Sequence, residues 1–208
     1  MYLRVTAFKS DPAKLDAGIA YFRDQVVPAM KKAPGFRGAT CIVDRGKSTG
    51  AASTLWESLE TMNKAEPLGV QVRTESEEST GIEVIDVDRF EIATLELAEP
   101  TAQLPAYTRL ILGYADPATA DKATDTIRDE VIPLLKREPG FRSYSSGINR
   151  MTGRAFTASS WSTPEQREAS NNVVGDLRQR ISQSANIYGL ELSNVETVVA
   201  EVMLPTRA

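Results

Sequence analysis

The chain has no histidine among its 208 residues and a single cysteine, Cys41. The missing histidines exclude imidazole general bases, His-ligated haem and serine–histidine triads. They also exclude nearly all zinc catalysis, because one thiol and carboxylates make a poor zinc site. A lone thiol forbids an internal disulfide and fits a reducing compartment. No run of about 18 apolar residues occurs, and Met1–Ser10 has no apolar signal core. A cytoplasmic protein is the expectation. Positive charge is not in excess either: 24 Lys and Arg stand against 28 Asp and Glu, a net charge of -4. Neither nucleic acid nor a membrane is therefore an expected partner. The segment Thr74–Ser79, "TESEES", lacks the spacing of a calcium loop and reads as solvated. No metal site is expected. Chemistry is left to Tyr, Trp, Arg, Asn, Lys and carboxylates.

What is present is an internal repeat. Tyr2–Pro100 matches Tyr107–Pro205 without a gap at an offset of 105. Tyr2 falls on Tyr107, Arg4 on Arg109, Asp11-Pro12-Ala13 on Asp116-Pro117-Ala118, and Arg23-Asp24 on Arg128-Asp129. The match continues from Pro34-Gly35-Phe36-Arg37 to Pro139-Gly140-Phe141-Arg142, from Arg45 to Arg150 and from Trp56 to Trp161. Roughly a quarter of the aligned positions are identical, and an ungapped register of this length is a tandem duplication. Between the halves, "AEPTAQLPA" at 98–106 holds two prolines and no periodicity, as a linker does. The expected divisions are 1–97, 98–106 and 107–208.

Both halves give the same coarse order. Tyr2–Lys9 and Tyr107–Tyr114 are apolar and β-branched enough for strands. Asp11-Pro12 and Asp116-Pro117 each place an N-cap residue before a proline suited to a first helical turn. Leu15, Ile19, Phe22, Val26 and Met30 follow at helical spacing. Pro28 and Pro133 are expected to kink that helix, and Pro34-Gly35 and Pro139-Gly140 to stop it. Two strands follow in each half, Phe36–Arg45 with Gly50–Glu57 and Phe141–Asn149 with Arg154–Ser162. A second helix is expected over Ser58–Ser79, interrupted at Pro67 and Gly69, and over Thr163–Gln183. Closing strands are expected at Asp88–Leu97 and Asn194–Met203. The order β-α-β-β-α-β is the split ferredoxin-like unit. Two such units packed sheet on sheet make an α+β barrel in which the halves stand in for a homodimer. A monomeric pseudo-dimer or a higher homo-oligomer is the expected assembly.

These residues resemble the antibiotic biosynthesis monooxygenase (ABM) superfamily. The carrying pattern is "YLR" or "YTR" on the first strand, "VVP…APGF" or "VIP…EPGF" closing the first helix, and "LWES" or "SWST" on a later strand. The resemblance covers both halves. It implies a dimeric α+β barrel and a cofactor-independent monooxygenase acting on a small aromatic or phenolic compound. The alternative it leaves open is a non-catalytic barrel that binds a small molecule. In quinone-forming members a Trp at the "WES" position works with an Asn four residues earlier. Trp56 and Trp161 match that Trp and are the catalytic candidates, while the Asn position holds Ala52 and Thr157. Two family Tyr positions hold Cys41 and Ser146, then Met62 and Arg167. The haem-degrading branch needs an axial His and a second Trp, where Lys64 and Ala169 stand. Haem degradation is excluded.

Arg4 and Arg109, two residues after a strand Tyr, are candidates to orient a phenolate or carboxylate; pairing with a carboxylate is the structural alternative. Trp56 and Trp161 have core packing as theirs. Arg23-Asp24 and Arg128-Asp129 read as solvated ion pairs. The second half places Tyr144 and Phe156 where the first has Ala39 and Ala51. Tyr144 and Phe156 therefore complete the substrate-binding set for an aromatic ligand, with no cofactor.

Overall fold

The structure, a computed structural model, describes residues 1–98, 104–173, 175, 179, 181 and 186–203. Residues 99–103 of the expected linker, and several positions of the expected helix Thr163–Gln183, lie outside the described residues. The first half runs through strands β1 (Tyr2–Lys9), β2 (Phe36–Asp44), β3 (Thr49–Trp56) and β4 (Glu83–Leu97). Its helices are α1 (Leu15–Tyr21), α2 (Val27–Met30), α3 (Leu59–Lys64) and α4 (Glu66–Thr80). The second half has strands β5 (Ala106–Tyr114), β6 (Phe141–Ile148), β7 (Arg154–Trp161) and β8 (Tyr188–Val202). Its helices are α5 (Ala120–Thr126), α6 (Ile132–Leu135) and α7 (Pro164–Ala169).

Hydrogen bonding follows the strand order β1-β3-β2-β8-β5-β7-β6-β4, an eight-stranded closed barrel in an α+β chain. Contacts divide the chain into two compact units: Met1–Arg89 with the segment from Glu196, and Phe90–Val195. In the first unit β3 lies between β1 and β2, with Tyr2 and Phe36 both opposite Trp56. The free edge of β2 takes the end of β8, from Gly38 opposite Val202 to Val43 opposite Glu196. In the second unit β7 lies between β5 and β6. There β6 takes the end of β4, from Glu91 opposite Ile148 to Leu97 opposite Ser143. Each half of the sequence thus lends the end of its closing strand to the other unit's sheet. Matching ion triads tie these ends down. Arg45 reaches Asp16 at 2.9 Å and Glu196 at 3.1 Å, and Arg150 reaches Asp121 at 2.7 Å and Glu91 at 2.9 Å.

Two local expectations need correction. Asp11 and Asp116 do not cap α1 and α5. Their carboxylates accept from the N–H groups of Ala13 and Ala118 at 2.9 Å, closing Asx turns one turn before the helices begin at Leu15 and Ala120. Pro67 does not interrupt a helix but opens α4, after α3 has ended at Lys64. Proline tolerates that place because its missing N–H would have no partner there. The prolines expected to kink the first helix act through π-helical turns at Phe22–Val26 and Ile127–Val131. Val27 N–H bonds to Phe22 O and Ile132 N–H to Ile127 O, five residues back. A widened turn accommodates a ring that cannot donate and would crowd the preceding carbonyls.

The doubled "PGFR" closes each helix onto its sheet. Gly35 and Gly140 sit at φ +81° and +76°, the left-handed region. Their carbonyls accept from Glu57 N and Ser162 N at 2.8 Å, which pins the strand ends carrying Trp56 and Trp161. A Cβ at Gly35 would stand 2.5 Å from Thr61 Cβ. Gly35→Ala is therefore expected to cost about 1–3 kcal/mol, from left-handed backbone and crowding together. Chemical denaturation of the full chain measures it, and a loss below about 0.5 kcal/mol counts against the constraint.

Candidate functional site

Each unit holds a cavity among its described residues. The second-unit cavity has a volume of about 120 Å³ and the first-unit cavity about 60 Å³, and both open to solvent. Strand alternation decides which side chains line them, because residues two apart share a face. On β5 that face carries Arg109, Ile111 and Gly113, and on β7 Ala155, Thr157 and Ser159. On β1 it carries Arg4, Thr6 and Phe8, and on β3 Ala52 and Thr54. The π-helical turns supply the helical wall, Ile127 and Val131 in one cavity and Phe22 and Val26 in the other.

Four of the six candidate residues line a cavity. Arg109, Tyr144 and Phe156 meet in the second unit, and Arg4 lines the first-unit cavity without either aromatic. Tyr144 is 5% exposed, and Phe156 packs edge-on to Phe90 at 5.1 Å. The Phe156 ring occupies space left by Gly147, where a Cβ would come within 2.7 Å of it. The two tryptophans do not line a cavity. They stand one step further along the same β3 and β7 faces, fully buried. Trp56 meets Phe36 edge-on at 5.7 Å and donates to Thr54 Oγ1 at 3.0 Å. Trp161 meets Phe141 edge-on at 5.5 Å, and its Nε1 has no hydrogen-bond partner among the described residues.

The arginines are the polar centres of the two cavities, 2% and 3% exposed. Each donates to the carbonyl of an equivalent residue, Arg4 to Met62 O and Arg109 to Arg167 O. Their further partners differ. Arg4 pairs with Glu66 Oε2 at 2.7 Å, the carboxylate expected as its structural alternative. Arg109 donates to Ser170 Oγ at 2.7 Å, and the position matching Glu66 is Asn171. Burial lowers the Arg4 pKa; Glu66 opposes that, while Arg73 and Arg89 add to it. Burial acts to raise Glu66, but hydrogen bonds from Arg73 and Arg89 and the Arg4 charge outweigh it, holding this carboxyl below its ordinary range. Cys41 also lines the first cavity, where burial pushes its thiol up to about 12 and keeps it protonated and unreactive. Arg23-Asp24 and Arg128-Asp129 are solvated pairs at 2.7 and 2.9 Å on the π-helical turns.

Sequence reasoning missed Arg73 and Gly69, which complete the polar end of the first cavity. One signal was available: Arg73 falls on Arg178 in the repeat register, an identity within a helix where little else is shared. Among the described residues no group of three or more Cys, Asp or Glu is placed to hold a metal ion. None of their helices is long and apolar enough to cross a membrane.

No family model matches the chain. Two uncharacterised proteins of Mycobacterium tuberculosis strain H37Rv are 24% and 25% identical to it over 205 and 206 residues. Each alignment covers 99% of this chain, and 91% and 86% of the respective relative. Among solved structures, an anthrone oxidase-like protein superposes with a TM-score of 0.68 at 15% identity, across 100% of this chain and 95% of that one. A monooxygenase candidate from Lactobacillus acidophilus superposes with a TM-score of 0.70 at 10% identity, across 97% and 96%. This is the ABM-like α+β barrel fold. Both superpositions extend over the two halves of the chain.

Proposed function

We propose that this barrel is a cofactor-independent monooxygenase that takes a small phenolic or anthrone-like compound into the second-unit cavity as its anion. The observation that carries the reading is Arg109, a guanidinium 3% exposed in a cavity otherwise walled mainly by aliphatic and aromatic side chains. An apolar wall accommodates fused or single rings, and a buried guanidinium favours an anionic oxygen over a neutral hydroxyl. Tyr144, opposite Ser159 on the same sheet face as Arg109, supplies aromatic surface for stacking. Deprotonation makes such a ring electron-rich enough to reduce O2 directly. Conversion of a ring CH2 to C=O consumes one O2, and its second oxygen leaves as water. The substrate supplies all four electrons, so no external reductant enters. The name of the anthrone oxidase-like neighbour agrees with this substrate class.

A second reading is a binding barrel without turnover, acting on the same ligand class. It is favoured by the lack of any carboxylate among the described lining residues of the cavity, which leaves no general base beside Arg109. One experiment separates the two. Metal-stripped protein is screened by thermal shift against anthrones, phenols and quinones, and oxygen uptake is followed for every stabilising compound. A ligand at a hundred times its Kd adds about 2.7 kcal/mol, well within reach of the assay. Stabilisation with stoichiometric oxygen uptake supports the oxygenase. Stabilisation alone supports the binding barrel, and neither effect across the panel defeats both.

A further inference from the structure

The first-unit cavity has a charge arrangement of its own. Arg4 from β1 and Arg73 from α4 both line it. Both reach one carboxylate, Arg4 to Glu66 Oε2 at 2.7 Å and Arg73 to Glu66 Oε1 at 2.6 Å. Arg89 adds a third guanidinium to Glu66 at 3.1 Å. Three cations converge on a single anion. Arg4 is 2% exposed, and its Nε and Nη1 are buried without a hydrogen-bond partner among the described residues. Native structures rarely leave such donors orphaned unless a water or ligand supplies the acceptor.

Gly69 lets the two guanidiniums of the cavity come together. It lies inside α4, where glycine is a poor helix former. A Cβ there would stand 2.8 Å from Arg4 Nη1 and 3.2 Å from Arg73 Nη1. The missing side chain lets both guanidiniums pack against the backbone of α4 at one end of the cavity. Beyond them the wall turns apolar, through Phe8, Phe22 and Val26. A water would satisfy the N–H groups but not the apolar wall, and a phosphate or sulfate would meet that wall with charged oxygens. The occupant that suits both ends has one small anionic head and a hydrophobic body.

We infer that the first-unit cavity is a separate site for a small apolar monocarboxylate, its head held by Arg4 and Arg73 beside Gly69 and its body by Phe8, Phe22 and Val26. The site is distinct from the Arg109 cavity and does not depend on the oxygenase reading. Its position on an otherwise duplicated scaffold follows from two differences between the repeats. Glu66 and Gly69 fall on Asn171 and Val174, so the second repeat lacks both the shared carboxylate and the glycine.

The test is calorimetric titration of the full chain with benzoate and with hexanoate, using benzamide as the neutral control. Saturable binding of a carboxylate is expected, with benzamide at least about tenfold weaker. Gly69→Ala raises helix propensity and so keeps the fold, yet its methyl crowds both guanidiniums. It is expected to weaken carboxylate binding at least about tenfold, and Arg73→Gln to do the same. Arg109→Met leaves the Gly69-sensitive carboxylate binding unchanged. Binding lost in Arg109→Met but retained in Gly69→Ala overturns the inference by moving the site to the other cavity. Absence of saturable carboxylate binding in the wild-type chain overturns it as well. Oxygen uptake by Gly69→Ala is expected at the wild-type level, so this site and the oxygenase reading stand or fall separately.

Discussion

Trp161→Ala is expected to remove about 3–5 kcal/mol of stability, the range for deleting a large aromatic from a packed core. Trp161 is fully buried, packs edge-on to Phe141 and does not line the second-unit cavity. The loss combines the transfer free energy of the indole with the void left between β7 and the helices above it. Its Nε1 has no partner among the described residues, so removing it orphans no acceptor there. Trp161→Phe should then be far milder, and should leave phenol binding and oxygen uptake within about twofold of wild type. Denaturant unfolding of both variants, with oxygen uptake on each, measures the two effects. A Trp161→Phe protein that is stable but inactive would instead put the indole in the chemistry. Trp56→Ala carries an added cost, because Thr54 Oγ1 loses its donor and the Arg4 guanidinium, 5.7 Å from the ring centroid, loses its aromatic face.

Arg109→Met is expected to lower affinity for a phenolic anion by about 10- to 100-fold, the value of one or two charge-assisted hydrogen bonds. The methionine keeps much of the aliphatic volume, so the apolar wall survives and the anion selectivity does not. Neutral quinones of the same shape should lose much less. Binding titrations of a phenol and its quinone against both proteins give this comparison directly. Equal losses for the two ligands would show that Arg109 supports the cavity through structural bonds such as those to Ser170 and to the Arg167 carbonyl. A modest fall in stability is expected alongside, since both of those acceptors lose a buried donor.

The two experiments bear on different layers of the molecule. Trp56 and Trp161 are the residues the repeat pattern makes most conspicuous, yet they stand in the packing layer. The residues that shape a site are less conspicuous, and in the first unit they are spread over β1 and α4. Conspicuous identity between repeats reports a shared scaffold first. Differences such as Glu66 against Asn171 and Ala51 against Phe156 are where the cavities acquire their separate characters.

Local order was legible from the amino-acid sequence because short-range physics governs it. β1 was expected at Tyr2–Lys9 and is found there, since its apolar and β-branched run has no competing reading. The helix stops at Pro34-Gly35 and Pro139-Gly140 were legible for the same reason, as positive φ selects glycine. The βαββαβ order followed, and with it the α+β barrel fold. The side chains of Asp11 and Asp116 were misread because an N-cap and an Asx turn use the same residue types, and only the backbone path separates them. Tertiary structure alone decided which sheet each closing strand joins. The ends of β4 and β8 have similar patterns, and either could extend β2 or β6; chain path and ladder register select β6 and β2 respectively. It alone also decided that Arg4 shares Glu66 with Arg73 and Arg89, partners as much as 85 positions apart in the chain. Pairings of that kind depend on where strands and helices come to rest, which no local propensity encodes.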